Sequence, residues 1–360
     1  MRTPRRPGIP LLGLRARAML AVGVVAVGAL ALAGCASASP GAQPTPSASA
    51  TPMATLDPAA VTAPAQVLGG DCSALFTDAE VSTILGIDVS AQTAFSDAPT
   101  ANAVPTVGGV VCNWTQSGAS EPALSAVLES TATVAAGADD ITCYQSSVDP
   151  DGALAGSCSF GVTSGPLWLT GVVTTAAGTT EDDAKAAAAT LSAAFGMLGA
   201  TDPGGPAVES TAWPFSGCAD LSERAALAVQ SPNLVGSDSD IGGAGRPAGV
   251  MAALRSVGAF SCSWSTDGDV PVGQVSGFNL EALPGGAWAQ TEVLALPGAE
   301  VVDLPGVDLA VRVPMDAATT GVAAALDVFD GGNWLQVSGP DDLDALAPAV
   351  TALVAALNAG

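Results

Sequence analysis

Two short stretches decide the fold: VVCNWTQSG at residues 110–118 and FSCSWSTDG at residues 260–268. Each places a cysteine and a tryptophan two residues apart in a run of alternating apolar residues. Because successive side chains of a strand point to opposite faces, Cys-x-Trp puts both side chains on one face. We therefore predict a strand at each stretch, with Trp114 and Trp264 packed inward beside their own cysteines.

The sequence around these strands also repeats. Upstream, DCSALFTDAEVSTILG at residues 71–86 and GCADLSERAALAV at residues 217–229 share Cys-x-x-Leu followed by a short helical pattern. Downstream, GPLWLTGVVTT at residues 165–175 matches GGNWLQVSG at residues 331–339. A repeat of this length predicts two homologous units rather than one larger fold.

A helix is predicted to close each unit. In TTEDDAKAAAATLSAAFGML, at residues 179–198, and in PDDLDALAPAVTALVAALN, at residues 340–358, the apolar residues recur at the spacing of one helix face. Asp341 and Asp342 stand at the start of the second helix, where carboxylates favour the helix dipole. Between the helices the pattern favours strands, except at residues 285–296, GGAWAQTEVLAL, which predict a second helix in the second unit.

These patterns predict an α+β fold of two tandem homologous domains, residues 67–199 and 211–360, with a linker at residues 200–210. Each domain is expected to hold an antiparallel sheet packed with helices and to end in a helix. Both are long enough to bury a core of their own.

An even number of cysteines in this part of the chain indicates disulfides if the protein lies outside the cytoplasm. The repeat pairs Cys72 with Cys112 and Cys218 with Cys262, which leaves Cys143 with Cys158 as a clamp within the first domain. A metal cluster is the alternative, but no two cysteines are close in sequence and no histidine is present. We predict disulfides and no metal.

The first residues resemble a lipoprotein signal. Five arginines and no acidic residue lie within residues 1–17, and an uncharged apolar run follows at residues 18–33. It ends in LAGC, residues 32–35, which resembles the bacterial lipobox. The resemblance implies a signal peptide at residues 1–34, cleavage after Gly34 and acylation of Cys35. A simple membrane anchor, or an ordinary signal with a chance cysteine, is the alternative.

The segment after the anchor predicts a tether. Residues 35–66 are mainly Ala, Ser, Thr and Pro, with too few large apolar side chains to bury a core, so we expect them to be disordered and extended. The predicted location is the extracytoplasmic face of the cell membrane, with the lipid as the membrane contact.

Charge excludes one class of partner. Five of the ten basic residues belong to the signal, whereas all 34 acidic residues follow Cys35. Binding of nucleic acid depends on Lys and Arg, so this balance excludes DNA and RNA as partners.

Little in the chain supports catalysis. The absence of histidine removes Ser-His-Asp triads and Cys-His pairs, and oxidised cysteines offer no thiolate. The adjacent carboxylates Asp139–Asp140 and Asp182–Asp183 diverge on a strand or a helix, which disfavours a glycosidase. Lys185, four residues after Glu181 on a predicted helix, favours a surface ion pair. We predict a non-enzyme without a cofactor.

Three aspartate pairs raise calcium binding as an alternative, because hard cations prefer oxygen ligands. None has the register of an EF-hand, and Asp-Gly and Pro-Asp are turn signals, so turns are favoured. The pairs are Asp149 with Asp151, Asp238 with Asp240, and Asp267 with Asp269.

The lipobox, the Ala/Thr/Pro tether and the two Cys-x-Trp units together resemble small actinobacterial lipoproteins of unknown function. They are similar, more distantly, to the extracellular sensor domains of mycobacterial receptor kinases. The resemblance implies a non-catalytic binding or sensor module for an envelope ligand or partner protein; the alternative is a structural or accessory lipoprotein of an envelope complex. Trp213, Trp288 and Trp334 are candidate contacts in either case, although core positions are favoured.

Overall fold

The computed structural model of the chain describes residues 62–93, 95–148, 154–174, 180–197, 213–227, 234–239, 241, 246–266, 275–315, 322, 324–339 and 343–360. Asp57–Gly360 form one compact unit. Its described parts are called here the N-terminal half, residues 62–197, and the C-terminal half, residues 213–360. Several predictions fall outside the described residues: the signal, Cys35, most of the tether, the linker, and Asp149, Asp151, Asp240, Asp267, Asp269, Asp341 and Asp342.

The N-terminal half contains a six-stranded antiparallel sheet. Its strands are β1 (Val89–Gln92), β2 (Val110–Gln116), β3 (Leu124–Ser130), β4 (Ile141–Val148), β5 (Leu154–Ser164) and β6 (Leu167–Thr174). Neighbouring strands follow the order β1-β2-β3-β6-β5-β4. The first Cys-x-Trp stretch therefore forms β2, as predicted.

The C-terminal half contains a seven-stranded antiparallel sheet. Its strands are β7 (Leu234–Asp238), β8 (Phe260–Thr266), β9 (Gly277–Leu283), β10 (Glu300–Val302), β11 (Leu309–Pro314), β12 (Ala324–Asp330) and β13 (Asn333–Ser338). Their order is β10-β11-β12-β13-β9-β8-β7, and the second Cys-x-Trp stretch forms β8.

The two sheets share one topology. Read from the edge strand beside the Cys-x-Trp strand, β1-β2-β3-β6-β5-β4 corresponds to β7-β8-β9-β13-β12-β11, and β10 is an addition at the far edge. The registers agree as well: Cys112 faces Ala126 across its ladder, and Cys262 faces Leu280 at the equivalent place. The internal repeat seen in the sequence thus extends to the order and register of the strands.

Helices complete the α+β class predicted from the sequence. They are α1 (Cys72–Leu75), α2 (Asp78–Leu85), α3 (Ala103–Thr106), α4 (Glu181–Met197), α5 (Cys218–Arg224), α6 (Ala248–Val257), α7 (Gln290–Leu294) and α8 (Leu343–Asn358). Helices α4 and α8 close the two halves, each burying one apolar stripe. The last described element is therefore the predicted C-terminal helix.

One predicted helix is present in a modified form, and one helix was not predicted. The helix predicted at residues 285–296 is a 3-10 turn, Gly286–Ala289, that continues directly into α7. It begins after Gly285, which has a left-handed φ of 75°. Helix α6 was not predicted; it ends at Gly258, which takes the left-handed conformation of a C-terminal cap.

Each sheet has two buried faces. One face of each sheet packs with its own final helix, in a cluster containing Leu128 and Leu191 in the N-terminal half and Leu280 and Leu353 in the C-terminal half. The opposite faces meet in a third cluster that mixes residues of both halves. This shared core includes Val104, Val127, Val134, Trp168, Leu254, Val257, Leu283, Trp288, Phe329 and Trp334.

Disulfides join Cys72 to Cys112, Cys143 to Cys158 and Cys218 to Cys262, the three pairs that the repeat predicts. The first and third tie α1 to β2 and α5 to β8, and the second links directly opposed residues of β4 and β5. Trp114 and Trp264 are buried in the same clusters as the neighbouring disulfides. Closing loops of 40 and 44 residues should stabilise each half by about 3–4 kcal/mol in the chain-entropy account.

Each half packs one element on the sheet of the other half. The 3-10 turn Pro99–Asn102 of the N-terminal half packs on β9 and β13, and α6 of the C-terminal half packs on β3 and β6. Thr100 donates its hydroxyl to the Glu281 carboxylate at 2.6 Å, and the Gly249 N–H donates to the Thr170 hydroxyl at 2.9 Å. Each sheet is thus covered in part by the other half, which joins the two halves more closely than a simple tandem arrangement would.

Candidate functional site

An open groove of about 500 Å³ lies on the N-terminal half between α2 and α4. Its lower wall is apolar, formed by partly or fully buried side chains at the end of α2, the end of β6 and the first turns of α4. The residues that line this α2–α4 groove and matter below are Ile84, Leu85, Ile87, Val173, Ala184 and Ala187.

Helix α2 forms the first wall of the groove, and hydrogen bonds hold its N-terminus and join it to β1. Thr77 and Glu80 form a capping box at its N-terminus, in which the Glu80 carboxylate accepts from the Thr77 N–H at 2.8 Å and from its hydroxyl at 2.7 Å. Those hydrogen bonds lower the pKa of Glu80. The Val89 N–H donates to the Ser82 hydroxyl, which ties the helix to β1.

Helix α4 forms the second wall of the groove and contributes the carboxylate of Asp183 to its rim. Asp183 accepts from the Thr180 N–H and hydroxyl, each at 2.8 Å, and these bonds lower the pKa of Asp183. The carboxylate is thus ionised at neutral pH, and it lines the groove at the start of the helix. The small side chains of Ala184 and Ala187 line the adjacent part of this wall and leave the groove open.

The groove continues around the turn at Gly86 and Ile87. A second, more open depression of about 620 Å³ lies on the other side of this turn and shares Thr83 with the first. Its remaining wall is polar and includes Asp88 and Gln116. The two depressions therefore meet at a single turn, and each is lined by polar as well as apolar side chains.

The carboxylates that the sequence singles out make separate local hydrogen bonds. Asp139 accepts from the Thr163 hydroxyl on β5, while Asp183 caps α4. Asp238 accepts the Cys218 N–H at 2.9 Å and lies beside the Cys218–Cys262 disulfide. The Asp238 carboxylate and the sulfurs of Cys218 and Cys262 lie within 4.8 Å of one another. The two sulfurs are bonded to each other and are therefore not free to hold a metal ion.

The three candidate tryptophans are core residues. Trp213 donates its indole N–H to Asn358, Trp288 to the Thr106 hydroxyl across the two halves, and Trp334 to Asp327. Because each indole N–H donates to an acceptor within the protein, none of the three is available to donate to a ligand.

The burial of two acids, Glu129 and Asp327, was not predicted from the sequence. Glu129 on β3 is fully buried, and burial raises its pKa to about 8. Asp327 on β12 is also buried; burial raises its pKa to about 7, although it accepts from the indole N–H of Trp334 at 2.8 Å and from the amide of Gln336 at 3.0 Å. No sequence signal marks Glu129 as buried. It shares one face of β3 with Ser125 and Val127, whereas Leu124, Ala126 and Leu128 lie on the other, and this alternation is typical of a strand with one face exposed.

Within the described residues, no helix combines the length and the apolar character needed to cross a bilayer.

Comparison with known proteins gives no relative from which a function could be carried over. No family model matches the chain, and no curated protein matches it. Among solved structures, the crystal structure of the di-domain ARO/CYC BexL from the BE-7585A biosynthetic pathway is similar at 12% identity and a TM-score of 0.14, over 75% of this chain and 93% of that one. A TM-score this low carries no argument about fold or function.

Proposed function

We propose that the protein is a lipid-anchored extracytoplasmic module that binds an apolar ligand group, without catalysis, in the α2–α4 groove. The observation that carries the proposal is the groove itself: an open trough with an apolar floor between two firmly capped helices. Preformed concave sites with few polar groups are typical of small-molecule and chain-like ligands. The lipobox and tether support the location, because they predict an anchored module held away from the bilayer.

The lining favours an aliphatic group over a sugar. The described groove residues are mainly branched aliphatic side chains and alanines, with three threonines, and include no aromatic ring on which a sugar could stack. Ionised Asp183 at the rim disfavours an anionic group there. We therefore propose an alkyl chain, or the aliphatic side chains of an extended peptide, as the ligand group.

A structural role in an envelope complex is the second candidate, and it would need a flat apolar patch. Among the described residues, the large apolar side chains exposed on strands lie on different edge strands, and two more, Met197 and Leu294, are exposed on α4 and α7. Val235 and Val301 lie on β7 and β10, the opposite edges of the seven-stranded sheet, and Tyr144 lies on the edge strand of the other sheet. Binding in the groove has the better structural support.

A groove-filling substitution tests the proposal. Ala186 and Ala189 are both exposed alanines of α4, but only Ala186 lines the groove. We expect Ala186→Trp to block the groove and Ala189→Trp to leave it open. The measurement is native mass spectrometry of the full chain extracted gently from its own envelope: a discrete added mass, lost on denaturation, is expected for the wild type and Ala189→Trp and is expected to disappear in Ala186→Trp.

The outcomes separate the two candidates. An added mass retained equally by both variants would place the ligand elsewhere and overturn the assignment to this groove. A bare mass in the wild type would contradict small-ligand binding, and crosslinking in intact cells would then test for a protein partner.

A further inference from the structure

Glu129 occupies a position that leaves its charge without compensation. Its side chain lies in the shared core between the halves, and neither carboxylate oxygen has a hydrogen-bond partner. Directly opposite on β6 stands Trp168, whose buried indole nitrogen also lacks a partner. Burying a charge without a partner is costly, so the neutral, protonated carboxyl is the form that this site accommodates.

The fold does not require an acid at this position. Glu129 pairs with Trp168 across the β3–β6 ladder, and at the equivalent place in the C-terminal half Leu283 pairs with Trp334 across the β9–β13 ladder. The same topology is therefore built with leucine. An acid that costs stability where leucine serves the fold points to a role other than packing.

Glu129 lies against the start of α6, the element that the C-terminal half lays on the N-terminal sheet. A Cβ placed on Gly249 would lie 2.8 Å from the Glu129 carboxylate, which shows how closely the helix approaches. The N–H of Gly249 donates to the Thr170 hydroxyl, and the N–H of Val250 donates to the Pro247 carbonyl. These two helix donors are engaged elsewhere and do not stabilise an ionised Glu129.

No charged group faces Glu129 from the elements around it. Strands β2 and β6 and helix α3 contain no charged residue, and Cys112 on β2 is in a disulfide. Helix α6 carries only Arg255, near its far end, and Arg246 precedes the helix; both are exposed. Within the described residues on these elements, an ionised Glu129 would have no counter-ion.

We propose that Glu129 is a proton-controlled latch: protonated, it lets α6 sit on the N-terminal sheet, and its deprotonation loosens α6 and with it the contact between the two halves. Opening the contact would expose Glu129 to water and allow it to ionise, so that high pH favours the open form. The latch acts independently of the ligand proposed for the α2–α4 groove.

The sign of the pH effect follows from linkage. Burial raises the pKa of Glu129 from its ordinary value of 4.5 to about 8, so the closed form holds a proton that the open form releases. Stability of the closed form is therefore highest below the ordinary value, falls as the pH rises between the two values, and levels off above about 8. In that interval the opening constant should rise by up to about tenfold per pH unit.

Hydrogen exchange of the α6 amides measures this opening directly. The full chain is followed from about pH 5 to about pH 9, with rates corrected for intrinsic exchange and referred to α4, which packs on the other face of the N-terminal sheet. In the wild type, protection of Ala248–Val257 relative to α4 should decrease with pH and then level off near pH 8. Burial also raises the pKa of Asp327, which bonds to Trp334 in the shared core, so Glu129→Gln should remove most of this dependence rather than all of it. Glu121→Gln, which removes an exposed carboxylate, should retain the full dependence.

Two results would overturn the latch: protection of α6 that does not change with pH in the wild type, or an unchanged pH dependence in Glu129→Gln. Glu129→Leu, which reproduces the residue of the C-terminal half, gives the same test without a polar side chain. Near-ultraviolet circular dichroism at about pH 6 establishes which of the two variants keeps the native packing, and that variant decides the question.

Discussion

Replacing Cys35 by alanine will abolish lipidation and release the protein from the membrane. The lipobox resemblance implies that the lipid is attached at the Cys35 thiol, and alanine has no nucleophile to replace it. Each buried methylene contributes about 0.8 kcal/mol to membrane binding, so one acyl chain holds marginally and two hold stably. Loss of all the chains should therefore move the protein from the membrane fraction to the soluble one rather than weaken its binding slightly.

Two readouts distinguish a lipid anchor from the apolar run of the signal. Metabolic labelling with a clickable palmitate analogue should mark the wild type and fail completely to mark Cys35→Ala, and fractionation of the same cells reports release. Ser37→Ala, two residues downstream and outside LAGC, is the matched control and should be labelled and membrane-bound like the wild type. Undiminished labelling of Cys35→Ala would show that the lipobox assignment is wrong.

Local patterns sufficed to predict much of the framework. Cys-x-Trp in an alternating run specifies a strand and an inward face at the same time, so both β2 and β8 could be placed from nine residues of sequence each. Helices α4 and α8 followed from apolar residues at helical spacing. The disulfide pairs followed from the repeat, because equivalent cysteines in homologous units must reach equivalent partners.

Features that depend on contacts between the halves could not be predicted in this way. Helix α6 buries residues such as Ala253 and Leu254 against the other half, so its pattern makes sense only once that surface exists. The burial of Glu129 arises from the same contact. The α2–α4 groove combines residues from Thr83 to Thr190, brought together by the fold and not by any motif.

The repeat is asymmetric where function is proposed. Both halves keep the strand order, the disulfide at the Cys-x-Trp strand and the closing helix. The N-terminal half carries the α2–α4 groove and has an acid, Glu129, opposite the tryptophan that the two halves share in position. In the C-terminal half Leu283 takes the place of Glu129, and Asp327 stands where the N-terminal half has Gly161, judged by its register relative to the paired tryptophans. The two halves thus place their buried acids at different positions of the shared core.

At Gly249 the contact between α6 and the N-terminal sheet leaves no room for a side chain. An ideal Cβ there would lie 2.7 Å from a methyl of Val127, 2.8 Å from the Glu129 carboxylate and 2.8 Å from the Thr170 hydroxyl. Two of these atoms belong to β-branched side chains with few alternative rotamers, so the neighbours cannot easily withdraw. Gly196 on α4 has no atom within 4 Å of the same construction and is exposed.

The same substitution should therefore have opposite effects at the two glycines. Alanine is the better helix former, by roughly 0.5–1 kcal/mol, and Gly196→Ala should raise the free energy of unfolding by about that amount. At Gly249 the added methyl overpacks the contact between the halves, which typically costs about 1–3 kcal/mol, and Gly249→Ala should lower the free energy of unfolding despite its helix propensity. Urea unfolding of the full chain with disulfides intact, comparing midpoints at equal m-values, measures both. The three atoms nearest to the added Cβ all belong to the N-terminal half. A gain of stability in Gly249→Ala would therefore mean that α6 does not pack tightly on the N-terminal sheet in solution, and the close packing of the two halves would have to be abandoned.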